Sequence, residues 1–521
     1  MMWATPERRM RLTFELFLIS FLALYAELVV IRWLASEVRV FAYFKNLPLM
    51  ASFLGLGLGC ARWRSRFRLF PWFPVLFGLL CMVAAYAETL DLVRLRFPDQ
   101  SVYLWSADAA LPFLQGMKFV GIILLIFFLT VAAFTALGEK VGELFDAFPP
   151  LTAYSINVVG SLLGILAFSG IAFAHWPPLL WIVAAAVLCL WFFPRPLPAA
   201  VLVVTVALVA WAPRASHWSP YYRIDFSPLF IEAPAKSGGA VQVGYNLDVN
   251  RDFHQRALNM SEDFRRQYPA ISRHAVYRHA DLVYNLPFRL AAAHERVLVV
   301  GAGTGNDVAA ALRNGARVVD AVEIDPAILD LGRRFHPEGP YREDGVMPWR
   351  PRFPGMDRVQ PATDDWPFLY MNPRGRPLAY ILVLGLILLV SWFLIRGNFR
   401  GREVGFDWHM FFLGAAFMLV EVKSIAELSL LFGYTWLVNS AVFSAILLMI
   451  LLANAVVARR AVLKPAGSYG WLTASLLVPY LAGLSWLNAW PFAWRATVGG
   501  LATSLPIFFA GMVFATSFRR A

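Results

Sequence analysis

Apolar residues in this chain gather into runs long enough to cross a bilayer core, which takes about 17–25 residues of helix. Twelve such runs can be read, at 13–34, 40–60, 70–87, 118–137, 151–173, 177–193, 197–212, 378–395, 408–432, 435–458, 469–488 and 496–517. The runs at 40–60 and 197–212 are the weakest, because Lys45, Asn46 and Pro48 interrupt the first and the second is short. Between the seventh and eighth runs the pattern changes to short β-type stretches and amphipathic segments, as in a water-soluble fold. The expected fold class is therefore a polytopic α-helical membrane protein of about 12 transmembrane helices, with one inserted soluble α/β fragment. Its parts are an N-terminal bundle at 1–212, the insert at 213–377 and a C-terminal bundle at 378–521.

Composition agrees with a lipid solvent. Hydrophobic residues make up 59% of the chain and charged residues 15%, against about 45–50% and 25% in soluble proteins. The net charge of +12 raises the question of nucleic acid. The cations, however, sit beside helix ends: Arg8, Arg9 and Arg11, then Arg62 to Arg68, Lys140, Arg195, Arg396 to Arg402, Arg459 to Lys464, and Arg519 with Arg520. With twelve spans all of these fall on one side, which the positive-inside rule makes the cytoplasm, with both termini there. Seven spans before the insert then put it on the outer face of a bacterial inner membrane, and no nucleic-acid partner is implied. The basic N-terminus leads into a long apolar run without a small-residue cleavage site, so a retained first helix is expected. Cys60, Cys81 and Cys189 lie in or beside spans and indicate neither disulfides nor a metal site. The loop at 88–117 reads as either an ordered cap or a plain connection.

Within the insert, Ser219–Val249 carries two β-type runs about a turn at Lys236–Ala240, a hairpin signal. A helical stretch at Ser272–Leu290 follows, then RVLVVGAGTGNDVAAALRNGARVVDAVEIDPAILDLGRRF. Here Arg296–Val300 reads as a buried strand, Gly301, Gly303 and Gly305 as a glycine turn, Asp307–Arg313 as a helix, and Val318–Glu323 as a second strand. Glycines let a ligand lie against backbone N–H groups at a helix N-terminus. Glu323 ends the second strand, where a carboxylate can accept hydrogen bonds from ribose hydroxyls. Asp325 is an alternative acid or the cap of the helix starting at Pro326.

These residues, with SPYYRI, VEIDPAILDLGRRF, ATDDWPFLY, AYSINVVGSLLG and the stretch around Glu421, resemble membrane-embedded proteins that fuse transmembrane helices to a spermidine synthase-like domain related to methyltransferases. The resemblance implies a Rossmann-type insert, with Gly301, Gly303, Thr304 and Gly305 shaping a nucleoside site and Glu323 or Asp325 holding the ribose. Its ligand would be decarboxylated S-adenosylmethionine, S-adenosylmethionine or methylthioadenosine, and its activity aminopropyl transfer to a polyamine. Two departures bear on this. Thr304 stands where such synthases carry an Asp in the glycine turn, and the later segment with their catalytic Asp is lacking. After Phe335 about 40 residues remain before the next span, with prolines at 337, 340, 348, 351, 354, 361, 367 and 373. Proline at that density excludes interior strands and helices. Asp364 and Asp365 read as a polyamine contact or as pre-membrane capping residues, and His254, His274 and His279 suggest no metal grouping.

Charges at membrane depth are costly and face a bundle interior or an aqueous cavity. Glu27, Arg32, Glu421 and Glu427 are of this kind. One reading is a site for a polyamine, another cation or a proton. The other pairs Glu27 with Arg32, and Glu421 with Lys423 or another basic group, for packing alone. Glu27 precedes Ile31 by four residues in the first run and Glu421 precedes Ile425 by four in the ninth, a weak internal echo of a duplicated hairpin. Asn157, Gly160 and Gly164 form a small-residue face expected at a close helix crossing. Two functions follow: an S-adenosylmethionine-type transferase, or a transporter or scaffold with a non-catalytic insert.

Overall fold

The computed structural model describes residues 5–38, 41, 46–93, 113–212, 216–232, 239–291, 294–340, 378–399, 407–432, 436–459, 465–482, 486–487, 490 and 492–520. Most of the loop at 88–117, the proline-rich stretch from 341 and the pair Asp364 and Asp365 lie outside them.

A helix occupies each of the twelve apolar runs. They are α1 (Pro6–Glu37), α2 (Asn46–Arg62), α3 (Phe73–Ala85), α4 (Phe113–Phe145), α5 (Pro150–Phe173), α6 (Pro178–Phe192) and α7 (Pro196–Trp211) before the insert. After it come α13 (Leu378–Phe399), α14 (Trp408–Phe432), α15 (Trp436–Arg459), α16 (Pro465–Ala482) and α17 (Phe492–Arg520). Proline sets several of the starts, at the first turn of α1, α3, α5, α6 and α7, where its missing N–H costs nothing. Six helices among the described residues are long and apolar enough to cross a membrane: Pro6–Glu37, Gly116–Phe145, Pro150–Phe173, Trp408–Ile425, Ser440–Arg459 and Thr497–Ser517. Among the described residues, Leu47–Arg62, Phe70–Ala85, Pro178–Phe192, Pro196–Trp211 and Leu384–Gly397 are apolar but shorter. The 13 residues of α3 span about 20 Å at 1.5 Å per residue, less than a bilayer core of about 30 Å. The fold is thus membrane-protein-like and helical, with six helices of spanning length among the described residues where twelve were expected.

The helices before and after the insert belong to one compact unit, and the insert forms a second. In the helical unit α1 is central: every residue from Tyr25 to Val38 is buried, as expected of a helix apolar on all sides. It meets α5 at Gly160 and Gly164, where an added Cβ on Gly160 would stand 3.0 Å from Ser20 Cβ. A second close crossing joins α2 to α4. A Cβ on Gly55 would stand 2.8 Å from Phe134 Cβ, and one on Gly138 2.9 Å from Leu56 Cα.

In the insert, β1 (Ser216–Trp218), β2 (Arg223–Glu232), β3 (Ala240–Val249) and β4 (Asp252–Leu258) form an antiparallel sheet in sequential order. The expected hairpin is β2–β3. Asn250 and Arg251, both at positive φ, make the tight turn into β4, a backbone suited to two-residue hairpins. Short helices α8 (Glu262–Gln267) and α9 (Pro269–Ser272) lead to α10 (Ala275–Leu290). Then β5 (Arg296–Val300), α11 (Asn306–Arg313), β6 (Val318–Val322) and α12 (Pro326–Phe335) follow, with β5 and β6 parallel. The parallel sheet has two strands among the described residues. Among the described residues it is one strand–helix–strand unit and not a full doubly wound sheet.

Candidate functional site

The insert builds its candidate site where the expected turn lies. Gly301, Gly303 and Gly305 all have positive φ, of 75°, 57° and 111°, which any Cβ would strain. Four of the N–H groups of this turn are engaged by the chain itself. Gly301 and Ala302 donate to the Val322 carbonyl at 2.8 and 2.9 Å, and Gly305 donates to the Ala302 carbonyl at 3.0 Å. Gly303 donates to Glu323 Oε2 at 2.7 Å, while Glu323 Oε1 accepts from the Asp325 N–H at 2.9 Å. The carboxylate expected to hold a ribose therefore closes the turn. The Gln255 carboxamide lies against Gly303 where a Cβ would otherwise sit.

Asp325 is fully buried. One of its oxygens caps α12 through the Ala327 N–H at 2.9 Å, and the other accepts the Ser219 hydroxyl at 2.6 Å. Ser219 Oγ in turn accepts the N–H groups of Tyr221 and Tyr222. Burial pushes the Asp325 carboxyl above the ordinary range, against the opposing pull of these donors. Thr304 is also fully buried, with Gly332 of α12 pressed against its backbone. Glu323 and Asp325 lie within Coulombic range of His254. No group of three or more metal-ligating side chains occurs among the described residues.

Sequence reasoning missed Asn306, the residue that ties this unit to its sheet. Its Oδ1 accepts from the Leu258 N–H at 3.1 Å and from His336 Nε2 at 2.9 Å. Its Nδ2 donates to the Arg256 carbonyl and to the Tyr284 hydroxyl. His336 Nδ1 accepts the Glu338 N–H at 3.1 Å, and Glu338 pairs with Arg313. Burial, aided by Arg313, holds His336 down to about 4.

In the helical unit the structure brings together residues far apart in sequence. Glu27 of α1 and Glu421 of α14 are both buried, at 0% and 3% exposure, and lie within Coulombic range of each other. Glu27 Oε1 accepts the Ser52 hydroxyl of α2 at 2.6 Å. Glu27 Oε2 and Glu421 Oε1 have no hydrogen-bond partner among the described residues. Arg32 lies one turn further along α1, its guanidinium 4.8 Å over the Trp181 ring. The expected pairing of Glu421 with Lys423 does not form. Residues two apart point to opposite sides of a helix, whereas residues four apart are neighbours, and Lys423 pairs with Glu427 at 3.3 Å. A further buried carboxylate, Glu139 of α4, went unread in the sequence. It pairs with Arg62 Nε at 3.1 Å and accepts the N–H groups of Leu69 and Phe70 at 2.6 and 3.0 Å.

The class that the fold defines is a helical membrane-type protein carrying a small α/β insert. Compared with protein-family models, curated proteins and solved structures, the chain matches none.

Proposed function

We propose that this chain is an integral membrane transport protein whose working site is the intramembrane carboxylate pair Glu27 and Glu421. Its cargo is a proton or a small cation, a polyamine being the cation that the resemblance implies. One observation carries the reading: two carboxylates from helices nearly 400 residues apart in sequence are enclosed together, each with an unpartnered oxygen among the described residues. Burying like charges side by side opposes folding, and groups kept at that cost mark ion or proton pathways. In the same reading the six long helices cross a bacterial inner membrane, three before the insert and three after it, both termini are cytoplasmic, and the insert faces the outside.

The insert on this reading is a spermidine synthase-like, Rossmann-derived domain without turnover. Engagement of the Gly301, Ala302 and Gly303 N–H groups by Val322 and Glu323 supports that. The test is proton-coupled and polyamine-driven flux in proteoliposomes of the full chain. Glu27→Gln and Glu421→Gln are expected to abolish flux that Glu323→Ala leaves intact. Absence of flux from the wild-type protein under every gradient sinks the transport reading. Calorimetric binding of methylthioadenosine or decarboxylated S-adenosylmethionine, lost in Glu323→Ala, would restore the transferase in its place.

A further inference from the structure

Helices α1 and α5 touch where Gly160 and Gly164 face Phe17, Ser20 and Phe21, with Ser20 Oγ donating to Asn157 Oδ1 at 2.9 Å. Toward the start of α1 they enclose an open groove of about 830 Å³, within the range of about 300–1,000 Å³ typical of small-molecule sites. Its walls are Met10, Phe14 and Phe17 on one helix and Ile156 and Val159 on the other, with Arg9 beside them. Two hydroxyls in the wall are spent on their own helices: Thr13 donates to the Arg9 carbonyl and Ser155 to the Leu151 carbonyl. What remains is an apolar wedge with one guanidinium. Arg11 is committed to Glu15, whereas Arg9 has no ion-pair or side-chain hydrogen-bond partner among the described residues. The groove also ends at the first turn of a 32-residue helix, whose dipole favours an anion.

We infer that this groove holds one anionic phospholipid, its acyl chains between α1 and α5 and its phosphate on Arg9. Charge complementarity and an apolar wedge between two helices of membrane-spanning length fit that occupant, since both neighbouring helices are apolar enough to lie in lipid. The inference needs those helices to be embedded in a bilayer and is independent of the carboxylate pair.

The experiment compares retention of phosphatidylglycerol and phosphatidylcholine on the purified full chain by native mass spectrometry, with melting temperature as a second readout. The wild-type protein is expected to retain one phosphatidylglycerol about fivefold more readily than phosphatidylcholine, from about 1 kcal/mol per basic residue near anionic lipid. Arg9→Glu, an exposed change, should erase the preference, and Val159→Trp should lower retention of both lipids. Arg195→Glu, beside another helix end, should leave retention unchanged. Equal retention of the two lipids, or a preference that survives Arg9→Glu, overturns the inference. So does a dimer that Val159→Trp dissociates without changing lipid retention, which would identify a second copy as the occupant. Glu27→Gln should behave as wild type here, which separates this result from the transport test.

Discussion

Acidification should loosen the insert at the His336 imidazole, whose protonation burial opposes; burial also lowers His254. His336 is 6% exposed and bridges Asn306 and the Glu338 N–H, so it is held as the neutral tautomer with Nε2 donating. Protonation would place a second N–H against the Glu338 amide and a charge beside Arg313. The folded value is about 4 against an ordinary 6.5, so between these values the unfolded chain binds more protons than the folded one. Stability then rises with pH through the window, is fully present above about 6.5, and is lost as pH falls toward 4. Between pH 7 and pH 5 the loss comes to about 2 kcal/mol, or about 30-fold in the opening equilibrium. Asp325, whose carboxyl is raised by burial, acts oppositely, favouring the fold as pH falls through its own folded value. The control is therefore His336→Gln, which keeps a donor toward Asn306 and does not titrate in this range. Hydrogen exchange on the full chain, corrected for intrinsic rates, should show peptides from 326–340 opening about 30-fold more at pH 5 in wild type and much less in His336→Gln. Equal pH dependence in the two proteins would refute the assignment.

Two further outcomes follow from the helical unit. Glu139→Ala leaves Arg62, paired with it at 3.1 Å, without its partner and frees the Leu69 and Phe70 N–H groups. A loss of about 3–5 kcal/mol is expected, read as a fall in melting temperature in detergent, with Glu139→Gln losing much less because it can still accept those N–H groups. Gly138→Val puts a branched side chain where even a Cβ would stand 2.9 Å from Leu56 Cα. It should cost about 1–3 kcal/mol, while Gly57→Val, with nothing near its added Cβ, should be close to neutral in the same assay.

Helix positions were legible because lipid imposes a length on apolar runs and proline marks their starts. The run at 40–60 holds a helix from Asn46 to Arg62. Span length was less legible, since composition does not say where a helix ends: Phe73–Ala85 stops short of the run at 70–87 from which it was read. In the insert the strand–turn–helix–strand unit lies within a residue or two of its expected bounds, because a glycine turn and the short apolar, β-branched runs beside it are local signals. Strand β4 escaped because its turn uses Asn250 and Arg251 at positive φ with no glycine to announce it. The Gly55 and Gly59 crossing with Gly138 and Gly142 was available in the same spacing as Gly160 and Gly164, and only the latter was read.

The two candidate sites differ in what a sequence can carry about them. Glu323 was picked out for its place after a strand, and its partner, the Gly303 N–H, is 20 residues away; both belong to one local unit. Asn306 lies in the same unit, yet its role depends on Arg256, Leu258, Tyr284 and His336, contacts set by how three segments fold together. Glu27 and Glu421 were each conspicuous as charges in apolar runs, but their closeness is a property of helix packing that no local pattern encodes. The internal echo between their runs was the one sequence feature joining them. If a duplicated hairpin places equivalent residues at a shared interface, the enclosure of Glu27 with Glu421 follows from that symmetry, whereas Ser52, which hydrogen-bonds Glu27 alone among the two, marks where the two halves have diverged. Each carboxylate keeps one oxygen without a hydrogen bond among the described residues, Oε2 of Glu27 and Oε1 of Glu421, so on the proposed transport reading both have an oxygen to offer a proton or cation.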